Sequence, residues 1–169
     1  MLILVLKEAF NMTDYEIRNV SWDDLIKLTG HIYDQIQKQN LKIDTLVPIL
    51  RGGMPLTLLL TRYMKDVNTT CLHIRRSKTN QTNSEFLDAE FKGITNAEAL
   101  TNKNVLIVED IIDKGLTVDM ALDILKKYKP KNIYIATFFN YNKSKYINAI
   151  SGESPNEIKW IKFPWEVEI

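Results

Sequence analysis

The segment Val105–Thr117, VLIVEDIIDKGLT, concentrates the residue types that could do chemistry in this chain. An apolar run ends in Glu109 and Asp110, Ile111 and Ile112 follow, and Asp113-Lys114-Gly115-Leu116-Thr117 opens a helical pattern. Adjacent carboxylates at a strand end can accept hydrogen bonds from the hydroxyls of a ribose, or hold a hard cation such as Mg²⁺. A glycine-containing turn lets backbone N–H groups approach a phosphate, and the first-turn amides and dipole of a helix favour that anion. Thr117 can add a hydroxyl donor. The plainer reading is that acids and a small residue cap the helix that follows a buried strand.

Two further clusters could serve a site with such a strand. Arg51-Gly52-Gly53 ends the strand candidate Thr45–Leu50 and, taken alone, is an ordinary turn. Near the C-terminus stands Trp160-Ile161-Lys162-Phe163-Pro164-Trp165-Glu166. A solitary tryptophan such as Trp160 is more often core than a platform for a flat ring. Cys71 is the one cysteine and His31 and His73 are the only histidines, which excludes an intrachain disulfide and disfavours a Cys/His zinc site.

These clusters need elements to carry them. Ser21-Trp22-Asp23-Asp24 reads as a helix start with Ser21 as N-cap, and Leu25, Leu28, Ile32 and Ile36 recur at helical spacing. Pro55 suits the first turn of a helix running on through Leu56–Met64. Thr70–Ile74 reads as a strand, and Val105–Val108 as a central parallel strand. Val118, Ala121, Leu122, Leu125 and Tyr128 form a helical stripe, and Ile133–Phe139 is another strand. Between them Arg75–Lys103 is polar and long, as expected of a functional lid or a disordered loop. Strand, loop, helix and strand in this order predict an α/β fold with a mainly parallel sheet covered by helices. Ligands of such sheets bind at the carboxyl ends of strands, where both Arg51–Gly53 and Glu109–Thr117 fall.

Composition agrees with a single soluble domain. The chain has 169 residues, 45% hydrophobic and 25% charged. Lys plus Arg number 22 against 21 Asp plus Glu, so the net charge of +1 lacks the basic surplus of a nucleic-acid binder. Leu2–Leu6 is far shorter than the roughly 20 residues that span a bilayer, and it makes a poor signal peptide. The expectations are no membrane and a cytoplasmic setting. Residues 1–11 read as an uncertain extension, with the domain covering 12–169 and Met12 as an alternative start.

Val105–Thr117 closely resembles the phosphoribosyl pyrophosphate motif of type I phosphoribosyltransferases. Arg51-Gly52-Gly53 resembles that family's pyrophosphate loop, in which the peptide corresponding to Leu50–Arg51 is often cis. Trp160–Glu166, and the opening from Met12 to Ile36, are similar to bacterial xanthine-guanine phosphoribosyltransferase, a 6-oxopurine enzyme. The resemblance thus runs through nearly all of the chain from Met12. It implies the type I fold, a mainly parallel sheet flanked by helices with a small hood. It also implies transfer of ribose 5-phosphate from phosphoribosyl pyrophosphate to a nucleobase with Mg²⁺, in purine salvage, by a homo-oligomer.

By the same resemblance, Glu109 and Asp110 hold the ribose hydroxyls and the metal. Asp113, Lys114, Gly115, Leu116 and Thr117 cradle the 5-phosphate, and Arg51, Gly52 and Gly53 face the pyrophosphate. Asn140, Trp160 and Ile161 border the base. Asp113 matches the family's proton acceptor near purine N7 and is the candidate general base; its alternative is a helix N-cap supporting the phosphate loop.

Some positions depart from the family. Lys114 stands where threonine is common, and Asn140 falls about where a lysine reads the purine O6, with Lys143 as a substitute. Arg75-Arg76-Ser77-Lys78 replaces the Ser-Tyr pair of many lids, and reads equally as a pyrophosphate clamp or a solvated strand end. The rival readings are a pyrimidine or orotate phosphoribosyltransferase, a regulatory protein that binds nucleic acid with this fold, and a catalytically silent member.

Overall fold

The computed structural model describes residues 16–78 and 87–166. The extension at 1–11 lies outside the described residues. Among them no helix is long and apolar enough to cross a membrane.

Strand β1 (Ile17–Asn19) leads into helix α1 (Trp22–Lys38). Ser21 starts that helix through a reciprocal cap: the Asp24 amide donates to Ser21 Oγ at 3.2 Å and the Ser21 amide donates to Asp24 Oδ2 at 3.0 Å. Next come β2 (Thr45–Leu50), α2 (Met54–Leu60), β3 (Asn68–Thr69), β4 (Leu72–Lys78) and β5 (Leu87–Ile94). The chain closes with β6 (Asn104–Ile112), α3 (Leu116–Lys126), β7 (Asn132–Asn140), β8 (Ile150–Glu153) and β9 (Trp160–Lys162). The main sheet runs β5-β4-β2-β6-β7-β8, with β3 added beside β2. Its pairings are parallel except β4 with β5. This is the expected α/β architecture.

Two apolar layers cover the sheet. Leu25, Ile32 and Ile36 of α1 and Leu56 and Leu60 of α2 pack with Leu46, Leu106, Val108 and Phe138. Val118, Ala121, Ile124 and Leu125 of α3 pack with Val47, Ile49, Leu72, Val105 and Ile107. Strand β6 is therefore buried on both faces, which is why Val105–Val108 is continuously apolar instead of alternating.

Four expectations need correction. The helix expected over Leu56–Met64 stops at Leu60, and β4 is Leu72–Lys78 where Thr70–Ile74 was expected. The central strand does not end at Val108 but continues to Ile112, because Ile111 and Ile112 pair with Phe139 and Asn140 of β7. Within the segment expected as a lid or loop, 75–103, residues 79–86 lie outside the described residues, and the described remainder is not a structureless loop. Arg75–Lys78 finishes β4, β5 lies antiparallel to it, and Ala97–Leu100 forms a 3₁₀ turn. Because β5 is the edge strand, its alternation is polar enough to read as a loop.

A separate two-stranded parallel sheet, β1 with β9, forms a hood. Arg18 ties it to the end of β8 by two bonds to the Glu153 carboxylate, at 2.6 and 2.8 Å. Beneath it Phe163 stacks on Trp165 with centroids 4.3 Å apart, and Trp165 meets Trp22 at 5.7 Å. The aromatic residues near the two ends of the domain thus pack on each other.

Candidate active site

The side chains of β6 alternate between the two helix layers, and the alternation carries through the acids. Glu109 follows Ile107 onto the α3 side. There it is 6% exposed, its Oε2 accepting the Thr117 hydroxyl at 3.2 Å and its Oε1 the Asp110 amide at 3.1 Å. Burial pushes the Glu109 carboxyl well above the usual carboxylate range, and the neighbouring Asp110 charge adds to the shift. Asp110 points the other way and its Oδ1 accepts the Ile111 amide at 2.7 Å. The adjacent acids therefore diverge, one buried against the following helix and one half-exposed at the strand end.

Asp110 meets the turn after β2. A Cβ on Gly52 would stand 2.3 Å from Asp110 Oδ2, and one on Gly53 would stand 2.1 Å from the Val108 carbonyl oxygen. Only residues without a side chain let this turn lie directly on the end of β6. The Leu50–Arg51 peptide is cis, as the resemblance implied, and Arg51 is exposed beside Gly52.

After β6 the chain passes through exposed Asp113 and Lys114 to Gly115, the N-cap of α3, whose φ of 82° is left-handed. No side chain caps this helix, so the capping role open to Asp113 falls to the Gly115 backbone. Thr117 is buried in the first turn. Its hydroxyl is engaged by Glu109, which sequence reasoning had not anticipated.

These parts enclose a cavity of about 730 Å³, within the range of small-molecule sites. Gly52, Glu109, Asp110, Asp113, Lys114 and Thr117 line it from the sheet, and Trp160, Ile161 and Phe163 line it from the hood. Trp160 is half-exposed and Ile161 buried. Tyr141 and Lys159 also line the cavity and were not singled out from sequence. Each directly follows or precedes a candidate, Asn140 and Trp160, and that adjacency was the available signal.

Asn140 and Lys143 stand apart from the cavity lining. Asn140 is buried, its Nδ2 donating to the Tyr146 carbonyl at 3.2 Å and its Oδ1 accepting the Asn142 amide at 3.0 Å. Lys143 donates to Asn156 at 2.9 Å. Among the described residues no group of three or more His, Cys, Asp or Glu clusters as a metal site.

Residues 20–169 match the phosphoribosyl transferase domain family. Bovine hypoxanthine-guanine phosphoribosyltransferase is 34% identical over 96 residues, 53% of this chain and 44% of the bovine protein. The chain thus spans about half the length of the curated relatives it matches. Two solved structures share the fold. A hypothetical protein from Neisseria gonorrhoeae with bound ppGpp superposes with a TM-score of 0.80 at 19% identity, covering 92% of each chain. Purine phosphoribosyltransferase from Pyrococcus horikoshii superposes at 0.75 with 20% identity, covering 91% of this chain and 96% of that one. The family match takes in the β6 acids, the turn after β2, the start of α3 and the hood strand β9, so the chain belongs to the phosphoribosyl transferase domain family.

Proposed function

We propose that the chain is a purine phosphoribosyltransferase, moving ribose 5-phosphate from phosphoribosyl pyrophosphate to a purine nitrogen and releasing pyrophosphate. The observation that carries this reading is one cavity lined by the β6 acids, the loop opening α3, the glycine turn after β2 and a half-exposed tryptophan. Hypoxanthine-guanine relatives favour a 6-oxopurine as the acceptor.

The first-turn amides of α3, with Lys114 beside them, suit the 5-phosphate. Asp110 suits the ribose hydroxyls, and Glu109 supports it from behind through the Asp110 amide. Arg51 and the amides of Gly52 and Gly53 suit the leaving pyrophosphate. Trp160 offers a flat face to the base. Bond breaking at C1′ builds positive charge on the sugar and negative charge on the pyrophosphate, so positioning and charge neutralisation are the main work. Asp113, exposed at the cavity wall, takes the proton that the purine ring loses as its nitrogen bonds C1′.

The residues fit Mg²⁺ held mainly by substrate. Glu109 and Asp110 both line the cavity, matching a cation bound through one or two carboxylates plus phosphate oxygens. Bound there, Mg²⁺ would neutralise pyrophosphate charge.

A panel of hypoxanthine, guanine, xanthine, adenine, orotate and uracil with phosphoribosyl pyrophosphate and Mg²⁺ tests this by pyrophosphate release. Release with a 6-oxopurine is expected. Release with orotate or uracil alone would move the enzyme to the pyrimidine class, and base-independent silence would remove the activity.

A further inference from the structure

The connection after β7, residues 140–146, is hydrogen-bonded to the loop 112–115 at three of its carbonyls. The Tyr141 amide donates to the Ile112 carbonyl at 2.8 Å, Asn142 Nδ2 to the Lys114 carbonyl at 3.3 Å, and the Tyr146 hydroxyl to the Gly115 carbonyl at 2.9 Å. In a trans peptide the C=O and the next N–H point in opposite directions. With these three carbonyls bonded to 140–146, and the Gly115 carbonyl also accepting the Asp119 amide at 2.9 Å, the amides of Asp113, Gly115 and Leu116 are turned away from 140–146.

Tyr146 is the most firmly held of the three donors. Its ring lies under Gly115 so closely that a Cβ there would stand 2.3 Å from both Cε2 and the hydroxyl oxygen. The hydroxyl proton is shared between the Gly115 carbonyl and Asp119 Oδ1, the latter at 2.7 Å. Partial burial pushes the Asp119 carboxyl up, but bonds from Lys145 and Tyr146 outweigh it and keep the group ionised. Burial, then the bond to Asp119, holds the phenol above its ordinary range, so it stays a donor. Asn140 completes the support by bonding the Tyr146 carbonyl from below.

We propose that Tyr146, held by Asp119 and Lys145, is a positioning residue that sets the amide directions of the loop 113–117 for the 5-phosphate. This rests on reading that loop as the 5-phosphate site. It also gives Asn140 and Asn142 a use, as the frame of the phosphate loop.

The test is Tyr146→Phe, which keeps the ring under Gly115 and removes the hydroxyl. Titration calorimetry would compare two probes in the presence of Mg²⁺: phosphoribosyl pyrophosphate, which carries the 5-phosphate, and inorganic pyrophosphate, which does not. The variant should bind phosphoribosyl pyrophosphate roughly 5- to 10-fold more weakly, the net worth of one hydrogen bond, with pyrophosphate affinity unchanged. KM for phosphoribosyl pyrophosphate should rise by the same factor while kcat stays within about twofold. Asn142→Ala, which removes a neighbouring pin, should show the same selectivity. Equal weakening of both probes would reduce Tyr146 to a packing residue, and unchanged binding of both would leave its hydroxyl without this role; either overturns the proposal. A wild-type protein that binds neither probe would instead remove the phosphoribosyl site itself.

Discussion

Asp110 lies so close to Gly52 that a Cβ on the glycine would stand 2.3 Å from its Oδ2 and 2.5 Å from its Cγ. The clash is with the far end of a side chain that can rotate. Gly52→Ala should therefore fold, but with the Asp110 carboxylate displaced, and KM for phosphoribosyl pyrophosphate should rise about tenfold or more. Gly53→Ala meets the Val108 carbonyl, which is backbone in the central strand and cannot rotate aside. It should lose on the order of 1–3 kcal/mol of stability. Denaturant melts and substrate titrations on both variants check the contrast. Normal substrate affinity in a folded Gly52→Ala would take Asp110 out of the binding site.

The same region shows what was readable in the sequence. A strand buried on both faces must be continuously apolar, so Val105–Val108 announced its place in the sheet. Its true end did not show, because Ile111 and Ile112 belong to it only through pairing with β7. With the strand ended early, Glu109 and Asp110 read as a matched pair. Once the strand is extended, its period of two sends them to opposite faces. Asn140 was placed by its position along the chain, but its partners lie in the Asn142–Tyr146 turn just beyond it, whose conformation the residue types alone do not encode. The edge strand β5 was hidden for the converse reason: water covers much of it, so its residues are those of a loop.

Arg18 and Glu153 give the hood a pH-dependent tether. The hydrogen bonds from Arg18 hold the Glu153 carboxyl below its ordinary value of 4.5. A depressed folded-state pKa contributes stability that is complete above that ordinary value and fades as pH falls through the lowered one. Both side chains are about a third exposed, so solvent screening limits the pair to about 1 kcal/mol or less. Glu153→Gln should melt slightly below the wild type at pH 7, and the gap should narrow at acid pH, as the pH falls below the ordinary 4.5 and through the lowered value. A gap of equal size at both pH values would assign the effect to packing.

Trp160 and Phe163 are close in sequence and line one cavity, yet they should behave differently when truncated. Trp160 is 51% exposed, and Phe163 is 4% exposed and stacked on Trp165. Base-on-aromatic stacking is worth about 1–3 kcal/mol, so Trp160→Ala should raise KM for the base roughly 5- to 100-fold with little loss of stability. Phe163→Ala empties a buried site and should cost about 3–5 kcal/mol. Base saturation curves and thermal melts separate the two. A Trp160→Ala enzyme with an unchanged KM for the base would show that the ring is not the platform.

Asp113 is the residue on which binding and chemistry separate most cleanly. It is exposed at the cavity wall, and α3 is capped by Gly115 with no side-chain bond, so Asp113 has no helix to hold. Asp113→Asn preserves shape and removes the basic site. If Asp113 accepts the purine proton, phosphoribosyl pyrophosphate should bind as in the wild type. Turnover should fall roughly 10²–10⁴-fold, and the acidic limb of the pH–rate profile should vanish with it. Asp110→Asn supplies the contrast, because it removes charge from the group proposed to hold ribose and metal. That variant should weaken substrate binding as well as slow turnover, while keeping the acidic limb. Should Asp113→Asn turn over normally across the pH range, the proton must leave by another route, such as directly to water. The binding roles of Asp110 and the α3 amides would still stand, because they rest on contacts that the substitution leaves in place.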